Sequence, residues 1–443
     1  MTTRIICAGE VFVSADSSVA AQTTLGSCVA VALFDPQANI GGMIHVLLPA
    51  GSATKEREAP GRYARSAVPL LLKEMEKLGA SRARMAAVVA GGASMLTDRA
   101  LTVEMNIGKK NGDMAGKILE MAGIPILRQD LGDHCARVVH MDMRTGEVHV
   151  RRTGEERHRT ESPLVAERVE RSGIELRIDK LKPISQVARK VMARIESSSL
   201  HDLEKDILQD QALTANILKI CNSPLYGYRN RVPSLKRAFV VMGLETLRKI
   251  ILSASLITCY SSEAYGYSTR KGDLMKHSVS CALVAELIAR EKKLTDPDIA
   301  FVAGLLHDLG KVVLDQLCFD KFSLIMDRVS SHGSTFIEAE EEVLGFDHAR
   351  VGGMVAEEWD LPEVLKEAIA FHHHPEASHV NCKLVSAVHL ADNISAMFGE
   401  GCGLDELSNR IHQFAVSSLD LKRQDVERIV EQLPDVVKQL EDI

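Results

Sequence analysis

The sequence predicts a multidomain protein, with an N-terminal α/β domain of layered strands and helices followed by an all-α domain. Three observations predict it. The 443 residues exceed what a single domain of ~150 residues uses. Apolar residues fall in short runs bounded by Gly and Pro at first, then take a 3.6 period past about residue 181. The charge changes with the pattern: residues 1–160 sum to +3 and residues 161–443 to −10.

The first 150 residues alternate. Residues 5–13, 27–34 and 40–47 are Val-, Ile- and Ala-rich runs and are predicted strands. Residues 65–78 carry apolar positions at helical spacing and end at Gly79. A strand over 85–90 runs into Gly91-Gly92, and a helix over 109–121 stops before Gly123. Residues 124–128, 137–141 and 147–152 complete the strands, with Thr145-Gly146 as a turn. Gly91-Gly92 lacks the Gly-Lys-Ser/Thr of a phosphate loop and reads as a tight strand-to-loop turn.

Residues 151–162 are almost all polar and read as a linker, because such a stretch buries little apolar surface. Beyond it, Val187/Val191/Ile195, Leu213/Ile217/Cys221 and Leu283/Leu287/Ile288 repeat at helical spacing. Breaks are expected at Ser223-Pro224, Gly243, Gly310 and Leu361-Pro362, giving roughly a dozen helices. The last stretch, 420–443, reads as a charged amphipathic helix.

Composition narrows the function classes. Hydrophobic residues at 46% and charged residues at 26% exclude disordered and fibrous chains. No apolar run reaches the ~18–20 residues that cross a bilayer, and no secretory leader is visible, so membrane insertion is not expected. The acidic second part argues against nucleic acid as a partner. Nine cysteines without a Cys-x-x-Cys pair suggest reduced thiols in a cytoplasmic protein, not a disulfide framework or a structural zinc site.

Two constellations carry chemistry. In the first, Cys28 follows a glycine turn, Leu25-Gly26-Ser27, and His45 lies on the next strand. Adjacent antiparallel strands bring such residues side by side. A thiol, mostly protonated at pH 7, needs a base within ~3 Å to become a nucleophile, and an imidazole supplies one. Backbone N–H groups near Gly26 and Ser27 offer oxyanion donors.

This first part resembles the chemoreceptor glutamine deamidase (CheD) family. The resemblance rests on Thr24-Leu25-Gly26-Ser27-Cys28-Val29 and Gly41-Gly42-Met43-Ile44-His45. It continues through Arg62-Tyr63-Ala64, Ile107-Gly108-Lys109-Lys110-Asn111 and Gly123-Ile124-Pro125. It implies a cytosolic amidohydrolase, a protein-glutamine glutaminase. Such an enzyme converts glutamine side chains of methyl-accepting chemotaxis receptors to glutamate and needs no cofactor. It further implies Cys28 as nucleophile, His45 as base and then acid, and a supporting threonine, Thr23 or its neighbour Thr24. One departure is Gly132-Asp133-His134-Cys135-Ala136-Arg137, where family members often read Gly-Gly-x-x-Gly-Arg.

The second constellation is His277, His307, Asp308, His348, His372, His373 and Asp392. Imidazoles and carboxylates without thiolates suit Fe, Mn, Zn or Mg. Neighbours on a straight helix face apart, so His307 and Asp308 both ligate only where the helix ends. Seven such residues converging would hold two metals in a hydrolytic arrangement.

Residues from about 175 to 395 are similar to the HDOD domain, a signalling relative of the HD phosphohydrolases. The similarity rests on Asn222-Ser223-Pro224-Leu225-Tyr226-Gly227, Met242-Gly243-Leu244-Glu245 and Trp359-Asp360-Leu361-Pro362. The seven residues stand at the HD-type ligand positions, while the Gly-Tyr-Pro signature of cyclic-di-GMP phosphodiesterase relatives is missing after His374.

The expected organisation is a CheD-like domain over 1–155, a polar linker over 156–174, an HDOD domain over 175–400 and a helical tail over 401–443. The resemblances imply chemotaxis receptors as substrate and a response-regulator-like phosphatase as a further partner. The alternative is a signalling scaffold, or an HD-type phosphohydrolase whose CheD-like part serves for binding.

Overall fold

In a computed structural model of the chain the described residues are 2–93, 107–133, 137–152, 211–222, 232–260, 273–294, 296–317, 335–397 and 411–422, with a few further positions outside these ranges. The chain separates into two compact units, one built on the first 162 residues and one on most of the rest. The expected linker falls outside the described residues, as do Ser223-Pro224, Tyr226-Gly227, His134-Cys135-Ala136 and most of the tail.

The first unit is α/β. A five-stranded sheet runs in the order β2 (Val11–Ser14), β5 (Ile40–Val46), β4 (Val29–Asp35), β6 (Ala86–Gly91), β7 (Ile126–Leu131). A four-stranded sheet runs β1 (Thr2–Ile5), β3 (Val19–Leu25), β8 (Arg137–Asp142), β9 (Val148–Arg152). β4 and β5 are buried along nearly their whole length, which explains their continuous apolar runs. Helix α1 (Ala53–Glu58) is short; α2 (Ala64–Lys77) and α3 (Ile107–Met121) cover the five-stranded sheet. Val68, Leu71, Leu72 and Met75 of α2 and Ala115 and Leu119 of α3 pack with Val29, Val31, Ile44 and Val89 into one aliphatic core.

One expectation needs correction here, and one strand was not expected. Residues 5–13 do not form one strand: Gly9 takes φ +77 and turns the chain, so β1 and β2 join different sheets. Residues 19–25 do form a strand, β3, although its Ala-Ala-Gln-Thr-Thr core lacks both bulk and alternation. The strand is recruited by its partners: it pairs with β1 in parallel and β8 antiparallel.

The second unit is helical, as expected. Its elements are α4 (Gln211–Cys221), α5 (Leu235–Tyr260), α6 (Asp273–Glu291), α7 (Pro297–Leu306), α8 (Leu309–Leu317), α9 (Phe336–Leu344), α10 (His348–Glu358), α11 (Glu363–Phe371), α12 (Cys382–Met397) and α13 (Gln413–Ser418). The Gly243 backbone leaves the helical region inside α5, at the expected break. The break expected at Gly310 instead falls at His307-Asp308, between α7 and α8. Gly310 sits inside α8 because a Cβ there would collide with the His348 carbonyl and the Gly352 nitrogen of α10.

The cysteines also need correction. Cys7 is disulfide-bonded, whereas Cys28, Cys221, Cys281 and Cys382 are not. An odd count leaves room for such a pair without a disulfide framework.

Candidate functional sites

The register of the five-stranded sheet builds the first site. Ala30 lies opposite His45, and Cys28, two residues before Ala30, lies beside β4's first residue. Residues two apart on a strand share a face, and diagonal neighbours across antiparallel strands lie within reach of a long side chain. Cys28 and His45 therefore flank each other on one face, both buried.

Two hydrogen bonds hold the Cys28 turn in place, and a glycine makes room for it. Gly92 N–H donates to the Cys28 carbonyl (2.7 Å) and Ala93 N–H to the Gly26 carbonyl (2.9 Å). Gly91 has φ +118, and a Cβ there would strike the Cys28 carbonyl. The Gly91-Gly92 turn is thus a backbone seat for Cys28.

The hydrogen bonds assign the imidazole tautomer. Thr23 Oγ1–H donates to the Ile6 carbonyl at 2.7 Å, so its proton is committed. The same oxygen lies 2.8 Å from His45 Nδ1 and must accept from it. His45 then carries its proton on Nδ1, and its buried Nε2 is a lone pair with no hydrogen-bond partner. The main chain of His45 is tied as well: Gly9 N–H donates to its carbonyl (2.7 Å) and its N–H to the Glu10 carbonyl (3.3 Å). Thr24, the alternative, follows Thr23 on β3 and its side chain points to the opposite face.

Burial sets the resting charges. Desolvation pushes the Cys28 thiol up to about 12. Desolvation also pulls the His45 imidazole down to about 4. The pair therefore rests as neutral thiol and neutral imidazole, not as a thiolate–imidazolium ion pair.

The second site lies in the helical unit. Asp296 caps α7 by accepting from the N–H groups of Asp298 and Ile299, and after this first turn the helix is apolar and buried from Ala300 to Leu306. It ends at the buried His307-Asp308 step, where the chain turns into α8. His277 comes from α6, His348 from the start of α10, His372 and His373 from just past α11, and Asp392 from α12. All seven are buried. His374, the third of the run, is exposed at 59% and faces away.

Asp308 stands in the middle. Its Oδ1 lies 3.4 Å from His348 Nε2 and 3.8 Å from His372 Nε2. Its Oδ2 lies 3.4 Å from His307 Nε2, 3.6 Å from His277 Nε2 and 2.8 Å from the buried Lys311 Nζ. Asp392 Oδ1 approaches His277 Nε2 at 3.1 Å. His348 and His373 bring their Nε2 atoms within 2.9 Å.

The outer nitrogens are tied down. His307 Nδ1 is 2.7 Å from the Gly304 carbonyl, and His372 Nδ1 is 2.8 Å from that of Ile369. His348 Nδ1 is 2.7 Å from Glu340 Oε2, which also accepts from the His348 N–H at 3.0 Å. Those Nδ1 atoms are donors, so the Nε2 lone pairs converge. His372 Nε2, Asp308 Oδ1 and Asp392 Oδ2 are buried without a hydrogen-bond partner.

Converging lone pairs beside orphaned carboxylate oxygens make a donor set of the kind a cation takes. Nitrogens held ~2.0–2.1 Å from one ion stand roughly 3.3 Å apart, close to the spacings here. Among the described residues three ligand triads can be drawn: His348/His372/His373, His277/His307/Asp392 and His307/Asp308/His372. The residues fit a divalent metal with imidazole–carboxylate ligation, and Glu340 is an outer carboxylate of the kind that orients a ligating histidine.

Sequence reasoning missed Glu340, which sits in an ordinary acidic run, Glu340-Glu341-Glu342. It also missed His389, whose Nδ1 donates to the His372 carbonyl at 2.7 Å. The spacing to Asp392, one turn of α12, was the available signal.

Comparison with known proteins agrees with this division. A model of the CheD chemotactic sensory transduction family matches residues 47–152 and a model of the HDOD domain matches residues 181–375. A chemoreceptor glutamine deamidase CheD of Thermotoga maritima is 40% identical over 151 residues, covering 34% of this chain and 92% of its own. A probable chemoreceptor glutamine deamidase CheD of Bordetella petrii is 40% identical over 159 residues, 36% of this chain and 70% of its own. The chain belongs to the chemoreceptor glutamine deamidase CheD family. It joins that family's domain to an HDOD domain.

For the helical part, an HDOD domain protein of unknown function from Geobacter sulfurreducens aligns with a TM-score of 0.51 at 24% identity. It covers 61% of this chain and 96% of its own. That likeness concerns the fold alone. Thr23, Cys28 and His45 precede the stretch matched by the CheD model, so their grouping stands on the geometry above.

Proposed function

We propose that this CheD family member hydrolyses glutamine side-chain amides of chemotaxis receptors to glutamate and ammonia, with Cys28 as nucleophile. The observation that carries the reading is the Thr23–His45 pair, which leaves a buried imidazole lone pair on the face shared with Cys28.

His45 Nε2 takes the thiol proton as Cys28 Sγ attacks the carboxamide carbon. The carbonyl oxygen becomes an oxyanion received by backbone N–H groups of the Gly26-Ser27-Cys28 turn. His45 Nε2–H then protonates the leaving nitrogen, ammonia departs, and a thioester remains on Cys28. Water, deprotonated by the same Nε2, hydrolyses the thioester to glutamate and restores the thiol. Thr23 holds the imidazole so that one atom, Nε2, does all the proton transfer. No cofactor enters these steps.

We assign this activity to residues 1–155 and the HDOD module to residues 175–400. In that module His277, His307, Asp308, His348, His372, His373 and Asp392 are proposed to hold divalent metal, supported by the orphaned buried donors among them. Bound there, a metal supplies Lewis acidity. A response-regulator-like phosphatase remains the proposed second partner. No helix among the described residues is long and apolar enough to cross a membrane.

The test is a +1 Da mass change. The full chain is incubated with a receptor cytoplasmic fragment, and Gln-to-Glu conversion and ammonia are measured. Cys28→Ala should abolish both while retaining the circular dichroism of the parent. Normal turnover by that variant would remove the reading.

A further inference from the structure

Asn111 lies on α3 and is completely buried. Its Nδ2 donates to two main-chain carbonyls, Leu47 at 2.8 Å and Ser27 at 3.2 Å. Its Oδ1 is buried without a hydrogen-bond partner. A leucine of the same branching shape would avoid that orphaned oxygen, so the two donated bonds are the reason for an amide here.

The carbonyls it joins are informative. Ser27 immediately precedes Cys28, and Leu47 lies two residues after His45. The β4–β5 register ends at the pair Val29↔Val46. Ser27 and Leu47 thus lie just past the last rung, where the two strands cease to hold each other. Asn111 Nδ2, with one N–H for each strand, takes the place of the missing rung.

The bond to Ser27 also sets a direction. A trans peptide is planar, with C=O and N–H pointing opposite ways. Holding the Ser27 carbonyl on Asn111 turns the Cys28 N–H to the opposite edge of that plane. That N–H belongs to the nucleophile itself and is adjacent to wherever the thiolate attacks.

We propose that Asn111 is a positioning residue of the deamidation site, clamping the Ser27 and Leu47 carbonyls so that the Cys28 N–H is aimed at the oxyanion of the attacked carboxamide. The proposal rests on the deamidase reading.

The test uses the full chain, the parent beside Asn111→Asp and Asn111→Ser. Aspartate keeps the shape and replaces the donors with acceptors; serine is small enough to be accommodated but too short to reach both carbonyls. Three quantities are read per folded chain, the folded fraction being taken from near-UV circular dichroism. They are kcat and KM for Gln-to-Glu conversion on a receptor fragment, and the rate of Cys28 alkylation by iodoacetamide, a reaction that forms no oxyanion. Loss of one oxyanion donor lowers kcat about 10²–10³-fold. The expected result is a fall of that size in kcat, with KM and alkylation each changed less than about threefold. An unchanged kcat overturns the proposal. So does alkylation falling in step with kcat, which would mean that Asn111 acts on the thiol–imidazole pair or on the fold. Failure of the parent chain to convert any glutamine overturns the deamidase reading instead, and is told apart because it needs no Asn111 variant. If Asn111→Asp does not fold, Asn111→Ser alone decides.

Discussion

At the residue scale the deamidation site is a problem in tautomers. Thr23 has one hydroxyl proton, and Ile6 takes it, so the same oxygen can only accept from His45 Nδ1. Thr23→Val removes the acceptor and frees the ring to rotate or change tautomer. We expect kcat to fall by about 10²-fold or more, with stability lowered by about 1–3 kcal/mol for the unpaired Ile6 carbonyl and imidazole N–H. Steady-state kinetics beside a thermal melt separate the two effects. The resting charges predict a pH dependence of a particular form. The thiol is raised to about 12, so thiolate is the minor species below that pH. The imidazole is lowered to about 4, so it is neutral above that pH. Alkylation of Cys28 in the substrate-free protein should therefore keep rising from pH 6 to pH 10. A plateau below pH 8 would reveal a preformed ion pair and contradict the neutral resting state. Cys28 and His45 were legible in the sequence because their flanking glycines form motifs. Thr23 was visible only through the family resemblance. Asn111 and Glu340 were not visible as functional at all. The carbonyls Asn111 serves lie 84 and 64 residues away, and no local pattern reports such a contact.

At the scale of elements, the sites are made where regular structure stops. Cys28 precedes β4, His307 and Asp308 occupy the joint between α7 and α8, and His372 and His373 follow α11. Breaks were read from glycine and proline, and that rule misplaced the α7–α8 joint. Gly310 is there for close approach, not for turning. It lets α8 lie directly against the His348 turn of α10, which carries His348 to Asp308. Gly310→Ala should push the two helices apart, costing about 1–3 kcal/mol as overpacking. Metal retained after dialysis should drop with it, measured by elemental mass spectrometry. An unchanged metal content and melting temperature would show that the crossing is not what assembles the cluster. The same limit explains β3. Its Ala-Ala-Gln-Thr-Thr stretch has little strand signal of its own, because small residues were selected by burial between β1 and β8. The break at Gly9 was missed because apolar residues continue on both sides of it, and only the positive φ separates β1 from β2.

At the scale of the whole molecule, each site is assembled within its own unit. The hydrogen bonds described above for Thr23, Cys28, His45 and Asn111 reach residues 6–92, all in the first unit. The seven imidazoles and carboxylates of the second site are joined to one another and to Gly304, Lys311, Glu340, Ile369 and His389, all in the helical unit. Changes at one site should therefore leave the geometry of the other intact. Replacing both His307 and Asp308 with Ala removes the central carboxylate, which faces four imidazoles, together with one of those imidazoles. Copurified divalent metal should fall below a tenth of the parent value. Lys311 then keeps a buried charge without its 2.8 Å partner, so the helical unit should also melt earlier. Gln-to-Glu conversion on the receptor fragment should stay within about twofold of the parent when assayed below that melt. Unchanged metal content would dismiss the metal-binding reading of the seven residues. A loss of deamidation equal to the loss of metal would mean that the helical unit governs the cysteine site, and the two functions could no longer be treated as independent.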